Sequence, residues 1–92
     1  MKTKIFIDSI DLKEILELRK KINISGITTN PTLAKRFNMS DDIDMVKKIN
    51  DVLPDTEIHV EAFGKKTDEI VNNAHRISDK CSGINLVFKI PF

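Results

Sequence analysis

The chain has 92 residues, of which 40% are hydrophobic, 32% charged and 5% aromatic, and it contains neither Trp nor Tyr. This length suits a single small domain covering residues 1–92, and the apolar fraction supports a core and argues against disorder. The formal net charge of +1 excludes the strongly basic surface that nucleic acids or anionic membranes attract. Residues 1–39 carry eight basic and four acidic side chains, whereas residues 40–92 carry seven and ten, so the charge is unevenly distributed.

Cysteine usage and hydropathy indicate the compartment. Cys81 is the only cysteine, which excludes an internal disulfide and fits a reducing environment. The first residues lack the apolar run of a signal peptide, and no stretch approaches the ~20 apolar residues of a membrane span. These features predict a cytoplasmic protein that binds neither nucleic acid nor membrane.

Short apolar runs alternate with longer amphipathic stretches along the chain. Asp11, with Glu14 three residues later, has the capping-box arrangement of a helix start, and Pro31 suits the first turn of another helix. Strands are predicted at 5–7, 26–29, 57–63 and 84–90, and helices after Asp11, at 32–36, after Ser40-Asp41-Asp42 and after Thr67. The last of these helices is expected to bury one face formed by Ile70, Val71, Ala74 and Ile77. The order β-α-β-α-α-β-α-β favours a parallel sheet with right-handed helical crossovers.

Polar side chains stand at the end of every predicted strand, namely Asp8, Asn30, Glu61 and Lys89. In parallel α/β folds the carboxyl ends of the strands are where ligands bind. Because successive strand residues alternate faces, all four can share the face opposite the helix layer, into which Leu86, Phe88 and Ile90 are expected to point. Such a cluster makes Lys89 a candidate nucleophile with carboxylates as proton shuttles.

Each of these residues also has a plain structural interpretation. A lysine at a strand end is usually a solvated rim residue, and Asp8 could belong to a helix start. Asn30 before Pro31 is a common turn pair. His59 and Glu61 supply two metal-type ligands without a third at useful spacing, so no metal site is predicted and a polar pair is favoured.

Two further residues with reactive side chains have plain structural interpretations as well. His75 is expected to face solvent, because its helical neighbours are polar. Cys81 is expected to pack in the core, because no second cysteine and no basic cluster would activate its thiol.

Four segments together resemble the strand-end motifs of the transaldolase family, with the short transaldolase and fructose-6-phosphate aldolase branch the closer match. They are Phe6-Ile7-Asp8-Ser9, Gly26-Ile27-Thr28-Thr29-Asn30-Pro31-Thr32, Val60-Glu61-Ala62 and Val87-Phe88-Lys89-Ile90-Pro91. The similarity runs from residue 4 to residue 91 in the family's order. It implies an α/β fold, in which four parallel strands correspond to the first half of a (β/α)8 TIM barrel.

The resemblance also implies roles for single residues. Lys89 matches the lysine that forms a Schiff base with a ketose phosphate, and Asp8 matches the carboxylate that moves the C4 hydroxyl proton. Glu61 matches the position that holds the catalytic water, and Asn30 and Thr28 match polar groups around the dihydroxyacetone unit. Glutamate at 61 favours the transaldolase branch over the aldolase branch. No cofactor is implied, because the imine itself accepts the electrons.

The resemblance therefore implies transfer of a dihydroxyacetone unit between sugar phosphates of the pentose phosphate pathway, with fructose 6-phosphate or sedoheptulose 7-phosphate as donor. The family's phosphate-binding Arg and Ser belong to later strands, outside this chain. Four strands also leave at least one sheet edge open, and an open edge is a template for pairing. We therefore expect a homo-oligomer that completes the barrel. The alternatives are a non-catalytic scaffold that binds copies or partners, and one piece of a split enzyme.

Overall fold

Four parallel strands form a single sheet in the order in which they occur along the chain. The structure is a computed structural model that describes residues 3–29, 41–62 and 64–90. In chain order the described elements are β1 (Phe6–Asp8), α1 (Leu12–Lys21), β2 (Gly26–Thr28), α2 (Asp42–Val52), β3 (Glu57–Glu61), α3 (Thr67–Lys80) and β4 (Leu86–Lys89). The predicted parallel α/β architecture is confirmed, while the helix predicted at 32–36 lies outside the described residues.

Aspartate side chains cap the N-termini of the first two described helices. Asp11 accepts hydrogen bonds from the backbone N–H groups of Lys13 and Glu14, as an N-cap residue should. The predicted capping box is incomplete, because the hydroxyl of Ser9, rather than the side chain of Glu14, accepts from the N–H of Asp11 at 3.1 Å. Asp41 caps α2 in the same way as Asp11 caps α1.

One hydrophobic core lies between the sheet and the helices. Successive strand residues point to opposite faces, and the face of β2 and β3 that carries Ile27, Ile58 and Val60 is buried. The helices cover this face with Ile15 from α1, Ile77 from α3, and Met45, Val46 and Ile49 from α2. Cys81 is 2% exposed and belongs to this core, which confirms the packing role predicted for it.

Two apolar residues depart from the sequence prediction. Val71 was expected on the buried stripe of α3 but is 46% exposed, because the stripe follows Ile70, Ala74 and Ile77 at helical spacing. Ile90 was expected in the helix layer but is 47% exposed, since it follows the end of β4 and no described element covers it. His75 is exposed, as predicted.

Charged side chains connect neighbouring helices. Arg19 of α1 donates a hydrogen bond from Nη1 to the carbonyl oxygen of Val52 at the end of α2, at 2.6 Å. Arg76 of α3 contacts both carboxylate oxygens of Asp42, at 3.0 and 3.2 Å, where α2 begins. Basic side chains of α1 and α3 therefore hold the two ends of α2, Arg76 at its start and Arg19 at its end.

Both outer edges of the sheet remain open within the part of the chain that the structure describes. No described strand pairs with the outer side of β1 or of β4. Ile5 and Phe6 are each 37% exposed at the β1 edge. No described helix is long and apolar enough to cross a membrane.

Candidate active site

The strand register brings the predicted site residues into two adjacent rows on one face of the sheet. Asp8 of β1 is the register partner of Thr28, which is in turn the partner of His59 on β3. Two residues further along β3, Glu61 is the partner of Lys89 on β4. This face is opposite to the buried Ile27 and Ile58, and no described helix packs on it, as the alternation predicted.

Asp8 and Thr28 are in direct contact. The hydroxyl of Thr28 donates a hydrogen bond to Oδ1 of Asp8, with 3.1 Å between the oxygens. The bond is possible because the two residues are register partners whose side chains leave neighbouring strands on the same face. The carboxylate predicted to move a proton is therefore held at one oxygen by the neighbouring strand.

Thr29, the residue after Thr28, fixes the end of β2. Thr29 is 1% exposed, and both its backbone N–H and its hydroxyl donate to the carbonyl oxygen of His59, at 3.1 and 2.8 Å. A buried hydroxyl needs a partner, and this carbonyl supplies it. Because two hydrogen bonds anchor Thr29 to β3, the backbone that carries Thr28 is tied to the centre of the sheet.

Glu61 and Lys89 are neighbours at the carboxyl end of the sheet. The ladder between their strands continues past them, since the N–H of Ala62 donates to the carbonyl oxygen of Lys89 at 3.1 Å. Glu61 is half-buried and Lys89 is exposed. Lys89 forms no ion pair with another described residue, so within the described structure its amine remains accessible.

His59 lies beside the Asp8–Thr28 pair, and its side chain contacts Glu57. Its Nε2 is 2.7 Å from Oε1 of Glu57, and because a carboxylate only accepts, the Nε2–H of His59 is the donor. The side chains of His59 and Glu57 are 19% and 29% exposed. His59 and Glu61 lie on the same face of β3, and the carboxylate that His59 contacts directly is that of Glu57. The edge of one ring also meets the face of the other where His59 contacts Phe6, with centroids 5.0 Å apart.

Glu57 is the site-face residue that the sequence analysis missed. The signal was available, since residues two apart on a strand share a face, and Glu57 precedes His59 by two. Asn30, predicted to bind substrate, lies outside the described residues. Among the described residues, no three His, Cys, Asp or Glu side chains come together as metal ligands.

Comparison with known proteins identifies a family whose model matches most of the chain. The model of the family described as Transaldolase/Fructose-6-phosphate aldolase matches residues 5–92. A probable transaldolase of Dehalococcoides mccartyi is 33% identical over 88 residues, which cover 96% of this chain and 40% of that protein. For a probable transaldolase of Dictyoglomus turgidum the identity is 38%, over 96% of this chain and 39% of the relative.

A relative with a different name gives a similar match. The probable fructose-6-phosphate aldolase of Streptococcus pneumoniae is 28% identical over 92% of this chain and 38% of its own length. The chain thus spans about 40% of the length of the curated relatives it matches.

Proposed function

Because the chain belongs to the transaldolase/fructose-6-phosphate aldolase family, we propose that it contributes the Schiff-base half of an enzyme that transfers a dihydroxyacetone unit between sugar phosphates. The observation that carries the proposal is the placement of Asp8 and Lys89 on one face of a parallel sheet, at the carboxyl ends of its two outer strands. Ligands of α/β folds bind at this end of the sheet.

The proposed reaction assigns one step to each group. Nζ of Lys89 attacks the keto carbon of the donor, water leaves, and an iminium forms. Asp8 takes the proton of the C4 hydroxyl while the C3–C4 bond breaks, and that electron pair moves to the iminium to give an enamine. The aldehyde product leaves, and the enamine attacks an acceptor aldehyde whose new hydroxyl regains the proton from Asp8. Glu61 holds the water that is released and later consumed.

The site needs enclosure before this chemistry can proceed. A lysine amine attacks a carbonyl only in its neutral form, which a desolvated pocket favours. Lys89 is exposed, and the outer edges of β1 and β4 are unpaired within the described structure. We therefore propose that a second copy pairs with these edges and closes the site, and that the assembly works in the reducing cytoplasm, where Cys81 remains a free thiol.

Borohydride trapping tests the proposal. The protein is incubated with fructose 6-phosphate, reduced, digested and analysed by mass spectrometry, while its molecular mass is measured by light scattering. We expect an adduct on Lys89 in an oligomeric fraction and no adduct in the folded Lys89→Met variant. Lys80→Met is the matched control, because Lys80 is an exposed lysine at the end of α3, away from the site face.

Three outcomes separate the alternatives. An adduct on Lys89 supports the enzyme, and its restriction to the oligomer supports closure by a second copy. An adduct that appears only after addition of a chain carrying the later strands identifies a split enzyme and overturns closure by a second copy. A folded protein that gives no adduct under either condition overturns the catalytic proposal and leaves a non-catalytic scaffold.

A further inference from the structure

We propose that Thr28 is a positioning residue that acts through Asp8, and not a substrate-binding group; this inference rests on the proposed Schiff-base function. The family pattern implied that Thr28 lies among the polar groups around the dihydroxyacetone unit. In the structure its hydroxyl is already engaged, because it donates to Oδ1 of Asp8 at 3.1 Å. A hydroxyl has one proton, so this bond uses the only donor that Thr28 has.

The two oxygens of Asp8 have different surroundings. Oδ1 accepts from Thr28, whereas Oδ2 accepts no hydrogen bond from any other described residue. Rotation of the carboxylate would break the bond to Thr28, so the bond fixes the direction of Oδ2. Oδ2 is therefore the oxygen that takes the C4 hydroxyl proton. As the proton moves to Asp8, the C3–C4 electron pair moves to the iminium, so the products are an aldehyde, an enamine and a protonated Asp8.

The backbone around Thr28 is suited to this task. Thr29, the next residue, is buried and anchored by two hydrogen bonds to the carbonyl oxygen of His59. On the other side, Gly26 is pressed against the backbone of β3, because a Cβ at this residue would lie 2.6 Å from the carbonyl oxygen of Glu57. The residues on either side of Thr28 therefore fix its backbone against β3. Through its hydrogen bond, Thr28 in turn fixes the side chain of Asp8 on the edge strand β1.

The two adjacent threonines therefore perform different tasks. Strand alternation points Thr29 towards the helix layer, where it is 1% exposed, and Thr28 towards the open face. Thr29 fixes β2 against β3, and Thr28 connects β2 to Asp8 on β1. The consequence for catalysis is that loss of the Thr28 hydroxyl impairs bond cleavage and leaves imine formation at Lys89 intact.

Trapping separates these two steps by mass. Reduction after incubation with fructose 6-phosphate gives a six-carbon phosphate adduct on Lys89 from the iminium before cleavage. After cleavage it gives a three-carbon adduct, once the enamine has taken up a proton at C3 and returned to an iminium that borohydride reduces. For Thr28→Val we expect unchanged total adduct and a three-carbon to six-carbon ratio that falls by about tenfold or more, as misplacement of a catalytic group does. Thr28→Ser, which keeps the hydroxyl, should restore the ratio.

Asp8→Asn supplies the control that shows whether Thr28 acts through Asp8. If Thr28 acts through Asp8, Thr28→Val lowers the ratio in the wild-type background and has no further effect in the Asp8→Asn background. Circular dichroism confirms folding of each variant, and Thr28→Ala repeats the measurement if the valine is not tolerated.

The outcomes are distinct. A fall in total adduct with an unchanged ratio would show that Thr28 binds substrate and would overturn the inference alone. Equal effects of Thr28→Val in both backgrounds would overturn it as well. Absence of any adduct in the wild-type protein would overturn the proposed function together with the inference.

Discussion

The ring of Phe6 lies directly over Gly26, its register partner on the neighbouring strand. A Cβ atom at residue 26 would be 2.5 Å from Cε1 of Phe6, closer than carbon atoms approach without displacement. Because Gly26 has no side chain, the Phe6 ring crosses β2 and contacts His59 on β3. The absence of one methyl group thus allows an aromatic contact that spans three strands on the site face.

Gly26→Ala should destabilise the protein. The added methyl group meets both the Phe6 ring and the carbonyl oxygen of Glu57, at 2.6 Å, and the latter is backbone that cannot rotate away. Overpacking of this kind costs roughly 1–3 kcal/mol. We expect the free energy of unfolding to fall by about that amount in urea titrations followed by circular dichroism.

Phe6→Ala provides the control for the Gly26 prediction. It removes the ring and leaves the carbonyl oxygen of Glu57 in place, so the double variant should lose less stability than the sum of the two single variants. Strict additivity would show that the ring does not contribute to the clash. A Gly26→Ala variant as stable as the wild type would contradict the predicted close approach.

Helix α3 begins without a capping side chain and offers a stabilising substitution. Lys66 occupies the N-cap position in an extended conformation, but its side chain accepts no hydrogen bond from the first turn. Serine at this position can accept from a free N–H, and its introduction also removes a cation from the positive end of the helix dipole. We expect Lys66→Ser to raise the free energy of unfolding by about 0.5–1 kcal/mol.

The matched control is Asp41, which caps α2 by accepting from the N–H groups of Ile43 and Asp44 at 3.0 and 3.1 Å. Asp41→Ala should lower the free energy of unfolding by about 1 kcal/mol. Both changes are measured by thermal melting at constant ionic strength. Destabilisation by Lys66→Ser would show that the lysine side chain makes a favourable contribution that outweighs the missing cap.

Burial determines the chemistry of Cys81. It is 2% exposed, and burial raises the pKa of its thiol, with smaller contributions from Lys47 and Asp42. We expect iodoacetamide to alkylate Cys81 at least about tenfold more slowly in the native protein than in guanidinium chloride, because the thiolate is the nucleophile and must be exposed. Equal rates, followed by mass spectrometry, would contradict its place in the core.

The same raised pKa predicts how stability depends on alkaline pH. Below about pH 8.5 the thiol is mostly protonated in both the folded and the unfolded state, so its contribution to the free energy of unfolding is constant. Above this value the unfolded chain loses the proton first, so stability falls as pH rises towards the folded-state pKa. Cys81→Ala should reduce this loss between about pH 8.5 and 10, below the usual lysine pKa. The chain has no tyrosine to titrate nearby.

Local sequence signals predicted the helix starts and the strand faces, because each of these features has a local physical cause. Asp11 caps α1 through bonds to residues two and three positions later, which spacing alone reveals, and Asp41, which caps α2, lies within the predicted helix start Ser40-Asp41-Asp42. The alternation that placed Asp8, Glu61 and Lys89 on one face follows from the period of two in any strand.

Features that depend on distant neighbours were harder to predict. Periodicity placed Val71 on the buried stripe of α3. Its exposure depends on how the helix packs against the rest of the fold, which the sequence pattern does not show. The hydrogen bond between Thr28 and Asp8 joins residues 20 positions apart, so it required the register of β1 against β2. The roles of Lys89, Asp8, Glu61, Thr28 and Asn30 in catalysis and binding stay predictions.

Glu61 provides a test of how the proposed imine is formed and hydrolysed. It is the register partner of Lys89 and half-buried, so its side chain is placed to hold a water molecule beside the amine. Glu61→Ala should slow the formation of the trapped adduct by about a hundredfold, the size of effect that misplacement of a reacting group can have. Glu61→Gln keeps an oxygen that can hold the water and should retain most of the rate.

Glu57→Gln is the matched control, because Glu57 lies on the same face of β3 but bonds to His59, and it should change the rate less than twofold. If Glu61→Ala forms adduct as fast as Glu57→Gln, Glu61 does not hold the reacting water.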